Sequence, residues 1–533
     1  MKRFLPISIL TLISILSIGA VKSDFALMRD TEIMINVMRA LEQNYVDSLS
    51  SSQLVSDATE GISQSLDPYT TYLSAEDMGD FEIMTTGRYG GIGAVIMKRG
   101  DYVVIAQPYK GSPADRAGLK IGDKIIEIDG EAAKGFDTKQ VSDRLKGQPG
   151  SSVKVVIQSV IDSAQRRVKI KRERIAIPSI PYYGMLNGSV AYLKHTEFTD
   201  GCYDEMRSAL AELREQGMSS LVLDYRGNGG GVMQEAIKIL SLFVPKQSPV
   251  LVVKGRSEST TYKTTRDQIY PTMPLVVLID GNSASAAEIV AGALQDMDRA
   301  VLVGEKSFGK GLVQSTVPVG YDSYLKLTTA RYYIPSGRCI QAIDYTDHST
   351  GRQVERVADS LRREFKTASG RTVYDGGGIT PDIKVEGEYV SHFAATLYRD
   401  GFIADWGEVY YRKHHREQLD PRTFKLTDDD FNDFAKLIEG RDVKYESSVS
   451  RAMQALEGAA KREKNSELIA DLKRLKGNLH DGTAANVERY REEILRYMTQ
   501  DVLLRMNYYE GVVSNSVVSD PQVLRGVEIL TKK

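Results

Sequence analysis

The sequence lacks the features that are typical of metal-binding and nucleic-acid-binding proteins. Its 533 residues include two cysteines and six histidines, and none of them shows the spacing of a CxxC motif or a metal site. The formal net charge is −2, which gives no electrostatic basis for a nucleic-acid partner. An HExxH motif and an internal repeat are also absent. We therefore expect no metal, no other cofactor and no bound nucleic acid.

The first residues predict export. Two basic residues precede an uncharged run, residues 4–20, and small residues then lead to Ser23. This is the layout of a secretory signal that is cut before Asp24. The run is slightly short for a membrane-spanning helix, but an uncleaved signal-anchor stays open. Residues 1–23 are therefore predicted to be a signal peptide or a signal-anchor.

The chain is too long for one hydrophobic core, so several domains are expected. Residues 24–87 predict a helical region, because apolar side chains recur there at helical spacing in two places. These positions are Ile33, Val37, Leu41 and Tyr45, followed by Leu54, Ala58, Ile62 and Leu66. Two short helices bury little on their own, so we expect them to pack on the main body or on a second subunit.

Residues 88–173 are typical of a small β-rich domain, with short apolar runs between glycine turns. The runs are residues 94–97, 102–106, 124–128 and 153–159. Two blocks stand out, Gly90-Gly91-Ile92-Gly93 and GSPADRAGLKIGDKIIEIDG from Gly111 onward. Together they resemble a PDZ domain, in which the first block would hold a peptide's terminal carboxylate through backbone N–H groups. The alternative is that these glycines only make tight turns.

Strands alternate with helices over residues 174–385, which predicts an α/β core. Strands are predicted at residues 187–195, 219–223, 250–254, 275–279 and 325–333, and helices at 204–216 and 234–242. Two of the buried strands end in polar turns, Asp224–Gly231 and Asp280–Ser285. Because ligands of open α/β sheets bind beyond the carboxyl ends of the strands, we expect these two turns to lie close together.

Two further regions complete the chain. Residues 341–375 are polar and charged, so they predict an insertion, with a helix over residues 354–365. Residues 386–533 predict a helical region. Within it, Thr427 before Asp430 fits a capped helix start, and residues 485–511 predict one long amphipathic helix.

A candidate site lies in the stretch that ends at Gln314. Ser285 follows a buried strand at a sharp turn and precedes a helical pattern, so free N–H groups of a helix start would lie beneath its hydroxyl. Lys306 and Lys310 follow, and a lysine that is kept neutral in a desolvated pocket could take the serine proton. Glycines flank Lys310 and allow close backbone approach, and the Gln314 amide could hold its amine.

Other interpretations of these residues stay open. A Ser-His-Asp triad could use His195 or His392, although no GxSxG elbow contains Ser285. Ser285 could instead be a helix N-cap, Lys310 a surface lysine in a glycine turn, and Gln314 a polar strand position.

Taken in order, the motifs resemble those of the C-terminal processing peptidases, which are serine-lysine endopeptidases with an inserted PDZ domain. The resemblance covers residues 30–385 and is carried by SLDPYTTYLS, the two PDZ blocks, DYRGNGGG, SASAAE with AGAL, GEKSFGKG, YYIPSGRCIQ and GGGITPDI. It implies that Ser285 is the nucleophile, that Lys310 is the general base and that Gln314 orients the lysine. It also implies an oxyanion hole made by the backbone N–H groups of Gly230 and Ala286.

The departures from the family pattern are small, with Ala287 where relatives often have serine and Gly229 where many have proline. We expect a mixed α/β multidomain protein, with an α/β protease core, an inserted PDZ-like domain, N-terminal helices and a helical C-terminal region. The resemblance implies a serine endopeptidase, and the signal segment predicts export to the periplasm or cell envelope, free or anchored in the inner membrane. It would recognise free C-terminal tails of proteins and cut through an acyl-enzyme, and its terminal helices could form a homo-oligomer. The alternative is a non-catalytic, PDZ-bearing peptide-binding envelope protein on the same core.

Overall fold

The computed structural model describes residues 5–345, 356–477 and 482–532, with side chains from residue 25 onward. The described residues divide into two compact units. The first contains residues 5–78, 313–330 and 344–345, and the second contains residues 79–312, 331–343, 356–477 and 482–532. Helices and several sheets are both present, so the expected mixed α/β class is confirmed.

The N-terminal segment forms the two predicted helices. Helix α1 runs over Leu5–Asn44 and helix α2 over Ser51–Gln64, and strand β1 (Thr71–Leu73) follows. The apolar side chains that predicted α1 are exposed, with Ile33 at 55% and Val37 at 49%. Within the described residues, no helix has a stretch long and apolar enough to cross a bilayer. The predicted signal segment, residues 1–23, lies outside the part whose side chains are described, so it stays a prediction.

Helix α3 (Met78–Thr86) leads into the β-rich domain, where the predicted strands are confirmed. Its elements are β2 (Arg88–Gly91), β3 (Ala94–Arg99), β4 (Tyr102–Pro108), α4 (Pro113–Arg116), β5 (Lys124–Ile128), β6 (Glu131–Ala132), α5 (Thr138–Leu145), β7 (Ser152–Gln158), β8 (Gln165–Lys171) and β9 (Glu173–Ala176). The sheet has the order β3-β4-β5-β7-β8, and β6 pairs with β5. Strands β2 and β9 pair antiparallel, so the chain enters and leaves the domain at one ribbon.

The core that follows is a mostly parallel sheet with helices between its strands. Its elements are β10 (Tyr182–Asn187), β11 (Val190–Lys194), α6 (Cys202–Glu215), β12 (Ser220–Asp224), α7 (Met233–Leu240), β15 (Leu275–Ile279), α8 (Ala286–Asp296) and β16 (Val301–Gly304). Between α7 and β15, strands β13 (Pro249–Gly255) and β14 (Ser259–Lys263) pair antiparallel with each other and are not part of this sheet. Strand order is β10-β11-β12-β15-β16, with a short last strand at Ile383–Lys384. Strands β12 and β15 are buried along their whole length, as expected for parallel strands covered on both faces. Because Asp224 pairs with Leu278, the two polar turns begin side by side, as predicted.

Strands β17 (Leu312–Gly320) and β18 (Ser323–Tyr333) pair with each other as a hairpin. In the first unit, β18 also pairs with β1, where Tyr72 lies opposite Leu325. The insertion then contains a 3₁₀ turn at Asp359–Leu361 and strands β19 (Glu364–Lys366) and β20 (Thr372–Tyr374). After it, β21 (Ile383–Lys384) is the last strand of the core sheet. The predicted helix over residues 354–365 is therefore wrong in its described part. Residues 354 and 355 lie outside the described residues.

The C-terminal region is helical, as predicted. Its helices are α9 (His392–Arg399), α10 (Phe402–His414), α11 (Asp428–Ile438), α12 (Ser448–Arg462), α13 (Ser466–Gly477), α14 (Thr483–Arg489), α15 (Arg491–Ser516) and α16 (Pro521–Thr531). Thr427 caps α11 in a capping box with Asp430, which confirms that start signal. The long helix predicted over residues 485–511 is wrong, because the chain breaks at Tyr490 and α15 is interrupted at Tyr508 (φ 60°, ψ −171°).

Helix α16 belongs to the core of the sheet. Its Val523 is buried in one cluster with Val222 and Val276 of the central strands. A Cβ added at Gly526 would come within 3.2 Å of Val276 and 3.3 Å of Val222, so the helix backbone lies directly on the strands. The last helix of the chain therefore supplies one layer of the α/β core.

The C-terminal helices also hold the β-rich domain. The Tyr508 hydroxyl donates to Asp115 Oδ1 at 2.7 Å, and Arg99 forms ion pairs with Asp405 and Glu408 of α10. These contacts link the domain to α10 and α15. The strained backbone of Tyr508 persists because its ring and hydroxyl are held from outside the helix.

Candidate active site

Ser285 sits at the junction of strand β15 and helix α8, in the position of an N-cap. Ordinary N-caps have extended backbone, but Ser285 has φ 55° and ψ −114°. Non-glycine residues rarely adopt this conformation, and it costs about 1–3 kcal/mol. A strained strand-to-helix turn is also how nucleophile elbows expose a serine hydroxyl. The conformation therefore favours a functional serine over a simple cap.

Glu288, three residues into the turn, connects Ser285 with Lys310. Its Oε2 accepts hydrogen bonds from the backbone N–H of Ser285 at 2.8 Å and of Lys310 at 2.9 Å. Its Oε1 accepts from the Ser307 hydroxyl at 2.5 Å and the Gly309 N–H at 2.7 Å. Burial raises the pKa of Glu288, while these four donors act in the opposite direction. One buried carboxylate thus holds the serine turn and the lysine loop together.

Tyr332 of β18 lies against the same two residues. Its hydroxyl is 2.8 Å from the carbonyl oxygen of Lys310 and 3.2 Å from that of Ser285. The side chain is buried, and burial raises the pKa of its hydroxyl far above the usual value. The hydroxyl is therefore a permanent donor to the carbonyl groups of the site.

Lys306, the other candidate base, lies on the same loop. Burial, and after it the charge of Arg362, lowers the pKa of the Lys306 amine. A Cβ added at Gly377 would come within 2.7 Å of both the Lys306 Nζ and the Arg362 guanidinium carbon, so the two cations are close neighbours. Because a general base has to be neutral to accept a proton, the lowered pKa makes Lys306 a second candidate for the base beside Lys310.

The glycine-rich turn after β12 lies directly against the serine turn. A Cβ added at Gly230 would come within 2.8 Å of Ser285 Cβ and 2.9 Å of the Ala286 nitrogen, so only glycine fits there. Gly230 also has φ +99°, which favours glycine for a second reason. Ala286 is the first residue of α8, and the helix itself does not use its N–H. The two predicted oxyanion donors are therefore neighbours.

Asn228 holds the glycine turn in this conformation. Its Oδ1 accepts the Gly230 N–H at 2.9 Å, its Nδ2 donates to the His195 carbonyl at 2.9 Å, and its own carbonyl accepts the Ala284 N–H at 2.9 Å. The predicted oxyanion donor of Gly230 is thus bound to a side chain in this structure. The sequence pattern of DYRGNGGG draws attention to its glycines and gives no sign of this role of Asn228.

Ser283, the first serine of the SASAAE motif, connects the two turns. Its hydroxyl donates to the Tyr225 carbonyl at 2.9 Å and lies 3.1 Å from Asp280 Oδ1. The same Asp280 oxygen accepts the Gly227 N–H at 2.9 Å. The side chains of Ser283 and Asp280 thus hold the turn after β12 against the turn after β15.

Arg226 extends this network to the end of the chain. Its guanidinium donates to Asp224 Oδ2 at 2.7 Å, to Asp520 Oδ2 at 2.7 Å and to Gln522 Oε1 at 2.9 Å. Burial raises the pKa of Asp224, but the adjacent Lys194 and Arg226 outweigh it and hold this pKa well below its usual range. Asp520 is also the N-cap of α16, so the glycine turn and the last helix share one charged cluster.

The histidines considered for a triad are not coupled to Ser285 through a hydrogen bond. His195 is buried against Phe198 and Tyr225, and burial lowers its pKa to about 3. Neither of its ring nitrogens has a hydrogen-bond partner among the described residues. His392 begins helix α9 in the C-terminal region. In the described part of the chain, no group of three or more His, Cys, Asp or Glu side chains could hold a metal ion.

The remaining predicted residues fall in two places. Gln314 lies on β17 in the first unit, where its Nε2 donates to Thr328 Oγ1 at 3.3 Å, and its relation to Lys310 stays a prediction. Gly90 and Gly91 belong to β2, while Ile92 and Gly93 lead into β3. A cavity of about 80 Å³ lies beside this loop, between β3 and α5, and is lined by Tyr89, Ile92, Ala94, Ile96, Ser142, Leu145 and Lys146.

Comparison with known families covers three parts of the chain. Residues 189–349 match peptidase family S41, and residues 104–159 match the PDZ domain. Residues 393–530 match a model described as "Probable PDZ-protease, C-terminal helical domain". The three matches fall on the core, the β-rich domain and the C-terminal helices.

Individual proteins are similar to the chain. A carboxy-terminal-processing protease of Bartonella bacilliformis is 32% identical over 317 residues, which are 58% of this chain and 72% of that protein. A probable CtpA-like serine protease of Staphylococcus aureus is 33% identical over 325 residues, which are 60% of this chain and 64% of that protein. Among solved structures, the photosystem II D1 C-terminal processing protease is 26% identical, with 66% of this chain and 92% of that chain covered and a TM-score of 0.35.

The geometry of the site and the similar proteins point to the same family. Ser285 stands on a strained turn beside a glycine-rich loop, and a PDZ domain enters and leaves the core at one ribbon. The chain belongs to the carboxy-terminal-processing proteases of peptidase family S41, which are serine-type peptidases with a PDZ domain.

Proposed function

We propose that the chain is an exported serine endopeptidase that holds the C-terminal tails of protein substrates in its PDZ domain and cuts them through a dyad of Ser285 and Lys310. The observation that carries the proposal is the shared carboxylate of Glu288. Because the N–H groups of Ser285 and Lys310 donate to the same oxygen, the two residues are neighbours despite their separation in sequence. The side chains that the mechanism needs therefore start from adjacent backbone positions.

In the proposed reaction, the neutral Lys310 amine takes the proton of the Ser285 hydroxyl as the oxygen attacks the peptide carbonyl carbon. The negative charge that forms on the carbonyl oxygen would be met by the N–H groups of Ala286 and Gly230. When the C–N bond breaks, the lysine ammonium gives its proton to the leaving amine and an ester on Ser285 remains. Water then attacks the ester with the same amine as base, which restores Ser285 and releases the new carboxyl terminus. Gln314 stays a prediction for orienting the lysine.

For this chemistry, the Gly230 N–H has to exchange its bond with Asn228 for a bond with the substrate oxygen. The developing oxyanion is a stronger acceptor than a neutral amide, because charge-assisted hydrogen bonds are about twice as strong. The Gly230 N–H is therefore expected to leave Asn228 for the substrate oxygen only when negative charge forms on that oxygen. A donor that is held in this way is also kept in place for the transition state.

Two experiments test the proposal: covalent labelling of the serine, and cleavage of substrates that have a free or an amidated C-terminus. A fluorophosphonate should modify Ser285, as seen by mass spectrometry of the labelled peptide, because a nearby base activates the hydroxyl. An unfolded protein with a free, apolar C-terminal residue should be cut at least about tenfold faster than the same protein with a C-terminal amide, since the amide cannot pair with carboxylate-binding N–H groups. Absence of both labelling and cleavage would favour the non-catalytic peptide binder.

We also propose that the chain is exported to the periplasm or cell envelope, free or held in the inner membrane by residues 1–23, and that it forms a homo-oligomer. The basic and uncharged segments of the signal support export. The exposed apolar side chains of α1 support self-association, since Ile33 and Val37 are half exposed. A cytoplasmic location on cell fractionation would contradict the first point, and a monomeric mass in light scattering the second.

A further inference from the structure

The side chain of Arg226 joins the last helix of the chain to the glycine-rich turn. Its Nη1 donates to Asp520 Oδ2 at 2.7 Å and to Gln522 Oε1 at 2.9 Å, both at the start of α16. On its other side, Nη2 donates to Asp224 Oδ2 at 2.7 Å, at the end of β12. The side chains of Arg226 and Asp520 are 18% and 19% exposed, so solvent screens this ion pair less than it screens a surface pair.

Asp520 itself is held in a fixed place. Its Oδ1 accepts hydrogen bonds from the N–H groups of Gln522 and Val523, each at 2.9 Å, and so caps α16. The helix lies on the central strands through Val523, which is buried, and through Gly526. One carboxylate therefore caps the helix with one oxygen and binds Arg226 with the other.

The backbone of Arg226 is where the glycine-rich turn begins, and it is bound on both sides. The carbonyl oxygen of Arg226 accepts from Lys194 Nζ at 2.6 Å, and the N–H of the same peptide group, that of Gly227, donates to Asp280 Oδ1 at 2.9 Å. The Arg226 N–H donates to Asp224 Oδ1 at 2.8 Å. Because the guanidinium and the backbone bind the same Asp224, a shift of the side chain would also shift the peptide group from which the turn starts.

The turn leads to the proposed oxyanion donor, Gly230, four residues further along the chain. The Asn228 carbonyl accepts the Ala284 N–H at 2.9 Å, and the Gly230 carbonyl accepts the Phe198 N–H at 2.9 Å. A Cβ added at Gly230 would come within 2.8 Å of Ser285 Cβ, so this backbone lies in close contact with the serine. An oxyanion donor acts only when its N–H is aimed at the position that the charged oxygen will occupy, and a loosely held donor costs rate.

We propose that Asp520 is a positioning residue for the peptidase reaction. It fixes Arg226, and through it the glycine-rich turn, in the conformation in which the Gly230 N–H can meet the negative charge of the transition state. The inference rests on the proposed function, in which the Gly230 N–H stabilises the oxyanion. It gives the C-terminal helices a role in the reaction, because α16 completes the active site of a core that precedes it in sequence.

A positioning role predicts a specific change in the kinetics. In the resting protein the Gly230 N–H is bound to Asn228, so the substrate binds before this donor is needed. A displaced turn therefore weakens binding of the transition state and leaves binding of the substrate as it was, which lowers kcat and leaves KM unchanged. A merely structural role of Asp520 would instead lower the stability of the chain or the fraction of molecules that are active.

Two substitutions remove the ion pair and keep the helix cap. Asp520→Ser and Asp520→Asn both leave a good N-cap acceptor, but neither has the charged oxygen that binds Arg226. The asparagine also keeps the size of the aspartate, so a folding defect of the serine variant alone does not decide the result. Glu388→Gln is the matched control, because Glu388 forms an ion pair of the same 2.7 Å distance with Arg496 of α15.

The experiment measures kcat and KM for a tailed, unfolded substrate, and the dissociation constant of a peptide boronic acid, on the full chain. In the inhibitor, boron bonds to Ser285 Oγ, whose proton passes to the base, and becomes a tetrahedral anion with an oxygen in the place of the oxyanion. We expect both Asp520 variants to lower kcat about tenfold and to bind the boronic acid about tenfold more weakly. This is part of the roughly 10²–10³-fold that loss of a whole oxyanion donor costs. KM, the denaturation midpoint and all values for Glu388→Gln should stay as in the parent.

The outcomes separate the two proposals. If the parent cuts the substrate but both Asp520 variants keep its kcat and its affinity for the boronic acid, Asp520 only links α16 to the core, and the inference is overturned. Loss of kcat together with a lower denaturation midpoint and an unchanged affinity for the boronic acid would also overturn it. If the parent neither cuts the substrate nor binds the boronic acid, the proposed function fails, and the inference fails with it.

Discussion

Ser285→Ala is expected to lower kcat/KM for protein cleavage by at least about 10³-fold, with peptide binding to the PDZ domain unchanged. Removal of the nucleophile of a serine peptidase leaves only the catalysis that comes from binding and from the oxyanion donors. Lys310→Met should cause a loss of similar size, because the two residues of the proposed dyad would act as a unit and their effects would not be additive. The measurement is steady-state hydrolysis of a tailed, unfolded substrate by purified full chain.

Lys306→Met is the matched control for the lysine, since Lys306 lies on the same loop and its pKa is lowered by burial and by Arg362. It should keep most of the activity. If Lys306→Met loses activity and Lys310→Met does not, the base is Lys306 and the proposed dyad is wrong. Ser285→Gly adds a test of the strained turn: it should be inactive, yet more stable than Ser285→Ala by about 1 kcal/mol, because glycine adopts φ 55° without strain.

Glu288→Gln is expected to have the largest effect on stability, and a large effect on activity as well. The glutamine has the size of the glutamate, but it offers one acceptor oxygen where the carboxylate offers two. Whichever way the amide is placed, two of the four buried donors face an NH₂ group and lose their acceptor. Each such loss costs about 1–3 kcal/mol, so the free energy of unfolding should fall by about 3 kcal/mol.

Activity should fall about 100-fold in the same variant, because Ser285 and Lys310 lose the shared acceptor that holds them together, and small displacements of reacting groups cost rate. Chemical denaturation and hydrolysis of the tailed substrate measure the two effects. Glu215→Gln, at the exposed end of α6, is the control and should change neither. Normal stability and activity in Glu288→Gln would show that the carboxylate does not organise the site.

The elements that sequence patterns predicted well are those whose burial is uniform. The apolar run of β15 is a strand buried on both faces, and its neighbour β12 is another. Such a strand can be predicted without knowing which strand it pairs with, because a continuous apolar run is typical of a central strand in a parallel sheet that is covered on both faces. The capped start of α11 at Thr427 was also predictable, since its hydrogen bonds are local.

The predictions that failed concern segments whose conformation is set by contacts outside the segment itself. Residues 354–365 have helical spacing of apolar side chains, yet Phe365 pairs with Val373 in a two-stranded sheet. Residues 485–511 have the pattern of one helix, but the chain breaks at Tyr490, and Tyr508 turns out of the helix toward Asp115. In both cases a contact outside the predicted helix outweighs local propensity: the next strand for Phe365, and Asp115, which is remote in sequence, for Tyr508.

The sequence by itself determined the buried strands of the core and the family, and it supplied Ser285 and Lys310 as candidates, because these depend on apolar runs and on motifs whose order can be read along the chain. Only the tertiary structure decided what surrounds them. Glu288 binds both candidates, and Asp520 of the last helix binds the arginine beside the glycine turn. Each is a hydrogen bond between groups that the folded chain brings together, so the order of residues along the sequence does not predict it.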